Sequence, residues 1–271
     1  MKNGVDPKEN GNVSLVTAMP KQLQQVVLFG APILVGLLNL THPMFAPPVY
    51  RGIVDHISWW TTLHILNLVL FPLIGLAAYL LVKDVNNLAA SLTKVALAVF
   101  VPIYAAFDAI AGIGTGILVE NAKHLPPAEL TTVSPFIDAY WNSSVLNAVA
   151  AAGSIAWVIA MLSAAVAVTA SDRRRLIAGV AVVIFVIGGW AQTNLFLPSQ
   201  GLHIPIAWWL ITMGLGLAMF VMGKPRIPGT LLVLSGALFG ASHVTPTGPL
   251  GMLCFLGAAV YMKVVAVSDR K

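Results

Sequence analysis

Residues 57–82 read ISWWTTLHILNLVLFPLIGLAAYLLV, a run of 26 residues without a single Lys, Arg, Asp or Glu. An α-helix needs about 20 apolar residues to cross the hydrocarbon core of a bilayer, so this stretch is a membrane span. Its polar exceptions are ordered. His56, just before the run, and then Trp60, His64, Asn67 and Phe71 step by four, four, three and four, which lines them along one helix face. Trp60 suits the interfacial belt, whereas His64 and Asn67 lie two to three turns deeper. A polar stripe at that depth has to face protein or a water-filled cavity.

Working outward, the whole chain has the same character. Of its 271 residues 58% are hydrophobic and 9% charged, against roughly 25% charged in an ordinary soluble domain, and the mean hydropathy is +0.86. That excludes a soluble enzyme, a disordered chain and a disulfide-stapled module. Cys254 is the single cysteine, so no intrachain disulfide, thiolate zinc cluster or iron–sulfur ligand set can form. The net charge of +5 belongs to the two faces of a bilayer and not to a nucleic-acid partner.

Eight apolar runs predict eight spans: 22–41, 57–82, 95–119, 141–169, 176–196, 204–223, 229–243 and 249–267. Residues 1–21 read as a polar cytoplasmic tail and 268–271 as a second. The first span is long and lacks a small-residue cleavage site, which predicts an anchor and not a signal peptide. Alternate loops segregate the basic residues thirteen to two, only Arg51 and Lys123 falling on the minority side. By the positive-inside rule both ends then lie in the cytoplasm of a cell (inner) membrane. The longer loops, Thr41 to His56 and Glu120 to Tyr140, fall outside, and their proline pairs (Pro47–Pro48 and Pro126–Pro127) predict stiff, extended segments over the outer mouth.

The two halves echo one another. Asn39–Leu40 with Pro43 matches Asn194–Leu195 with Pro198; His56–Ile57 with Trp59–Trp60 matches His203–Ile204 with Trp208–Trp209. Phe107, Ala109, Thr115 and Gly116 match Phe239, Ala241, Thr247 and Gly248 with identical spacing. The order predicts a duplication, with 22–169 and 176–267 as two four-helix units.

Asp108 sits near the middle of the third span, where an ionised carboxylate costs at least about 2.5 kcal/mol on insertion scales. No Lys or Arg lies centrally in any span. Its partners must be histidines, amides, hydroxyls, backbone N–H groups or a bound cation. Tyr104 and Gly112 share its face. All six histidines fall on the outer half, with His42, His56, His203 and His243 near helix ends and His124 in a loop. Small polar residues such as Asn142, Ser143, Ser144, Asn147, Gln192, Ser235 and Ser242 are also the ordinary glue between spans.

Three classes of function fit. In the leading one an outward-opening cavity built from Asp108, His64, Asn67, Tyr104 and Asn147 binds or transports a small solute or cation. In the second, His64, Asp108, His56, His203 and His243 supply metal ligands for an intramembrane hydrolase. This would resemble the superfamily of alkaline ceramidases and adiponectin-receptor-like proteins, but that family's histidines four apart on a late helix are absent. In the third, the chain is a structural or cofactor-holding subunit, with His64 the one histidine deep enough to ligate haem. The sequence names no cofactor, and its partners are the bilayer, the solute or cation, and a second copy or a larger membrane complex. The segments Asn39 to Phe45, Ala106 to Gly116 and Gly248 to Met252 resemble an uncharacterised family of bacterial multi-pass membrane proteins. That resemblance implies a membrane fold and brings no activity with it.

Overall fold

The computed structural model describes residues 19–44, 48–169 and 226–265. Within them every regular element is helical. In chain order these are α1 (Lys21–Leu40), α2 (Val49–Ile53) with a short 3₁₀ turn, α3 (Ile57–Val82) and α4 (Leu88–Phe107). A π-helical stretch (Asp108–Gly114) leads into α5 (Thr115–Ala122). Then come α6 (Pro127–Trp141), α7 (Ser144–Thr169), α8 (Arg226–Ala241) and α9 (Thr247–Val260), the last continuing as a π turn to Val265. The predicted fifth and sixth spans, the basic residues Arg173, Arg174 and Arg175 between the two halves, and the second-half members of two of the three sequence echoes fall outside the described residues.

Four helical stretches are long and apolar enough to cross a membrane: Lys21–Leu40, Val49–Val82, Leu88–Ala122 and Pro127–Val168, with Ile227–Ala241 a shorter apolar helix. The helices close a ring. α3 packs on α4, α4 on α7, α7 on α8, α8 on α9, α9 on α1, and α1 back on α3. Large apolar side chains face outward, including Val26, Leu37, Val69 and Leu253, each more than half exposed. In water that pattern would be a liability; against lipid tails it is the expected surface.

Helix edges depart from the sequence expectation for identifiable reasons. The third span starts at Leu88 and not 95, because Asn87 accepts a hydrogen bond from the Ala90 N–H at 2.8 Å and so caps the helix start. The fourth begins at Ser144, after a turn at Asn142–Ser143. The two longer connections, expected as extended loops, hold helices. Pro126 is extended (φ −56°, ψ 150°), but Pro127 opens α6, a position where its missing N–H costs nothing. α2 and α6 pack on each other, and the Asp138 carboxylate accepts the Val49 N–H at 2.7 Å. Together they cover one end of the ring through an apolar cluster that includes Tyr50, Ile53, Trp60 and Ile137.

The π stretch is the main irregularity. Gly112 and Gly114 weaken the α-helix there. Side chains add hydrogen bonds to its backbone: Trp60 Nε1–H donates to the Gly112 carbonyl at 2.7 Å, which also accepts the Thr115 N–H, and the Tyr140 hydroxyl donates to the Ile110 carbonyl at 2.7 Å. Bare backbone groups in an apolar medium are costly, and these donors help to satisfy the irregular turn.

Candidate functional site

His64 reaches across from α3 to the first residue of the π stretch. Its Nδ1 is joined to Asp108 Oδ1 by a hydrogen bond of 2.7 Å, with the two side chains 3% and 0% exposed. Gly112, one turn on, makes the approach possible, since a Cβ built there would run into the His64 ring. Asn67, one turn below His64, is fully buried. Its amide lies beside Asp108, yet neither amide atom forms a hydrogen bond of good geometry.

Two more histidines join this pair. His42, two residues past the end of α1, packs edge-on against Trp60, His64 and His243, with ring centroids 5.2, 5.3 and 5.5 Å away. His243 follows the end of α8, and its Nδ1 meets the Tyr104 hydroxyl at 3.0 Å. The chain ends that carry these two rings are pinned together: Thr245 Oγ1–H donates to the Asn39 carbonyl at 2.9 Å. A hydrogen bond thus ties the C-terminal end of α1 to the turn between α8 and α9.

The electrostatics follow from the partners. His42 Nδ1 lies 3.0 Å from the Pro43 carbonyl, which can only accept, so this nitrogen carries the proton and Nε2 keeps its lone pair. Burial, and then the nearby His64 ring, push His42 down to about 4 against the pull of the Pro43 carbonyl. It is therefore neutral at pH 7. The Nε2 atoms of His42, His64 and His243 and Oδ2 of Asp108 are all buried without a hydrogen-bond partner. Buried polar atoms without partners are uncommon, and a cluster of them calls for an explanation such as a missing water or ligand.

The imidazoles face a cavity of about 420 Å³. His42, His64, Trp60, Tyr104 and His243 line it, and Phe107, Ala111, Trp141, Asn142, Ser154 and Ser242 are among the rest of the wall. Asp108 and Asn67 do not line it. They stand behind His64, so Asp108 is a positioning residue for the imidazole and not itself a wall. Among the described residues no three His, Cys, Asp or Glu side chains are grouped as ligands for one metal ion.

Of the residues singled out from sequence, the structure brings together His64, Asp108, Asn67, Tyr104 and His243. Asn147 is elsewhere: it is exposed, it donates to the Asn142 carbonyl at 3.3 Å, and it lines a groove with Leu92, Val95 and Val99 of α4. His56 is exposed at the start of α3, and His203 lies outside the described residues. Sequence reasoning did not place His42 in the site. Helical periodicity stops at Leu40, so no spacing rule says where a side chain two residues further on will point. The chain matches no family model, no curated protein and no solved structure.

Proposed function

We propose that this is an eight-span protein of the cell (inner) membrane with both ends cytoplasmic, built from two related four-helix units. In this reading its outward-opening His/Asp cavity binds or transports a small solute or cation. The orientation rests on the thirteen-to-two segregation of Lys and Arg. The function rests on one observation: three imidazoles, one of them held by a buried carboxylate, surround a cavity while keeping a nitrogen each without a partner. A site of this kind stabilises itself on filling. The metal-hydrolase and haem-subunit readings lack a comparable observation among the described residues.

The test is thermal unfolding of the purified protein across a library of small solutes and cations. A ligand at a hundred times its Kd adds about 2.7 kcal/mol of stability, a readily visible shift. Stabilisation that survives unchanged in both His64→Gln and Asp108→Asn would place the binding elsewhere. Elemental analysis and absorbance spectra run alongside: stoichiometric zinc would move the assignment to the hydrolase class, and a haem Soret band to the cofactor-holding class.

A further inference from the structure

Resting on that reading, we infer that the solute is a small organic ammonium ion, one that places its N–H donors among the imidazoles and its apolar body against the aromatic wall.

Size is the first argument. The cavity of about 420 Å³ lies within the ~300–1,000 Å³ typical of small-molecule sites and is far larger than a lone ion requires. The imidazoles are arranged around this space and are not grouped on one point, as the lack of a metal-ligand set among the described residues shows. A molecule with several donor hydrogens can serve such a wall, whereas one ion cannot reach all of it.

Charge is the second. No Lys or Arg lines the cavity, and His42 carries a bare Nε2 lone pair fixed by the Pro43 carbonyl. A carboxylate stands directly behind His64. An anion would meet the His42 lone pair, and the carboxyl group behind His64, with no Lys or Arg in the wall to balance it, so anionic solutes are disfavoured. A cation meets the opposite situation. Trp60, Trp141, Tyr104 and Phe107 supply aromatic wall, the surface that recognises ammonium groups by cation–π attraction.

The third argument is the condition of the unfilled site. The free Nε2 atoms are buried without a partner. An N–H donor that reaches one of them gives that nitrogen its missing partner. Filling the site removes a penalty, and solutes without such donors gain nothing equivalent.

The experiment uses the full chain in lipid nanodiscs, with empty nanodiscs as the partitioning control, and three probes of similar size: benzylammonium, benzyl alcohol and benzoate. Zn²⁺ is a fourth. Calorimetry and thermal unfolding are expected to show saturable benzylammonium binding, at least tenfold weaker binding of benzyl alcohol, and none of benzoate. His42→Gln, which alters a residue beyond the end of α1 and spares the ring of helices, is expected to weaken benzylammonium at least fivefold. Benzoate or benzyl alcohol binding as well as benzylammonium would overturn the inference, as would unchanged affinity in His42→Gln. No benzylammonium binding up to about 10 mM, which covers even weak millimolar affinities, would also overturn it. If Zn²⁺ then binds at one per chain, the cation-binding reading survives without the ammonium; if no probe binds, both fall.

Discussion

Residues 107–116 and 239–248 carry the same four residues at the same spacing, Phe, Ala, Thr and Gly, and they fold differently. The first stays helical throughout and widens into the π stretch. The second ends α8 at Ala241 and begins α9 at Thr247. The residues between the matching positions decide this. In the first they include Gly112 and Gly114, which loosen a helix without stopping it. In the second they include Pro246, which lacks an N–H and biases Thr245 away from helical backbone. Yet both segments deliver groups to one cavity: Phe107 and Ala111 from the first, Ala241 and His243 from the second, with Ala111 and His243 at equivalent positions. The shared residues do not set the backbone path; the residues between them do.

The sharpest way to break the comparison is at its one acid. Asp108 has Gly240 as its counterpart, so only the first segment carries a buried carboxyl group. Asp108→Ala strands the His64 Nδ1 that now meets the carboxyl group at 2.7 Å. Removing one member of such a buried pair is expected to cost about 3–5 kcal/mol, read from denaturant or thermal unfolding in detergent.

The paired glycines give the next test. A Cβ on Gly248 would run into the backbone carbonyl of His243, whereas one on Gly116 would meet mainly the Thr61 hydroxyl at 2.6 Å. Backbone cannot give way as a side-chain end can. Gly248→Ala is expected to destabilise by about 2–3 kcal/mol and Gly116→Ala by about 1 kcal/mol or less, within the usual range for overpacking. Equal costs would mean that the two segments tolerate bulk alike.

Tyr104→Phe removes the hydroxyl that joins α4 to His243 at 3.0 Å. About 1 kcal/mol of stability is expected to go with it, and a cycle with His243→Gln should show that the two losses are not additive.

A separate effect is that of pH. His42 sits near 4 when folded and at 6.5 when free, so between those values the unfolded chain binds more protons. Stability therefore rises with pH through this window and is lost as pH falls from about 6.5 toward 4. Comparing the pH dependence of the unfolding midpoint in the unaltered chain and in His42→Gln isolates this contribution, and the slope should flatten in the variant.

Much of the architecture was legible in the sequence because a bilayer imposes simple demands. Apolar runs of sufficient length and a buried acid with no basic partner can be read residue by residue, and so can a polar stripe of period 3.6. His64 and Asp108 were found in this way. What escaped has a physical reason in each case. His42 lies beyond the helix whose period would orient it. The outer connections fold into α2 and α6 because proline opens a helix as readily as it stiffens a loop, and composition does not tell these apart. Asn147 shared a membrane level with the site but not a bearing around the helix axis, and α7, being apolar on nearly all sides, has no stripe from which to read one.

The π stretch has a mechanical consequence. Two of its carbonyls are met from different elements, Gly112 by Trp60 of α3 and Ile110 by Tyr140 of α6. The helix that packs over this end and the stretch that begins with Asp108 are therefore joined directly, so a substitution at Tyr140 reaches the acid through the backbone and not through the cavity.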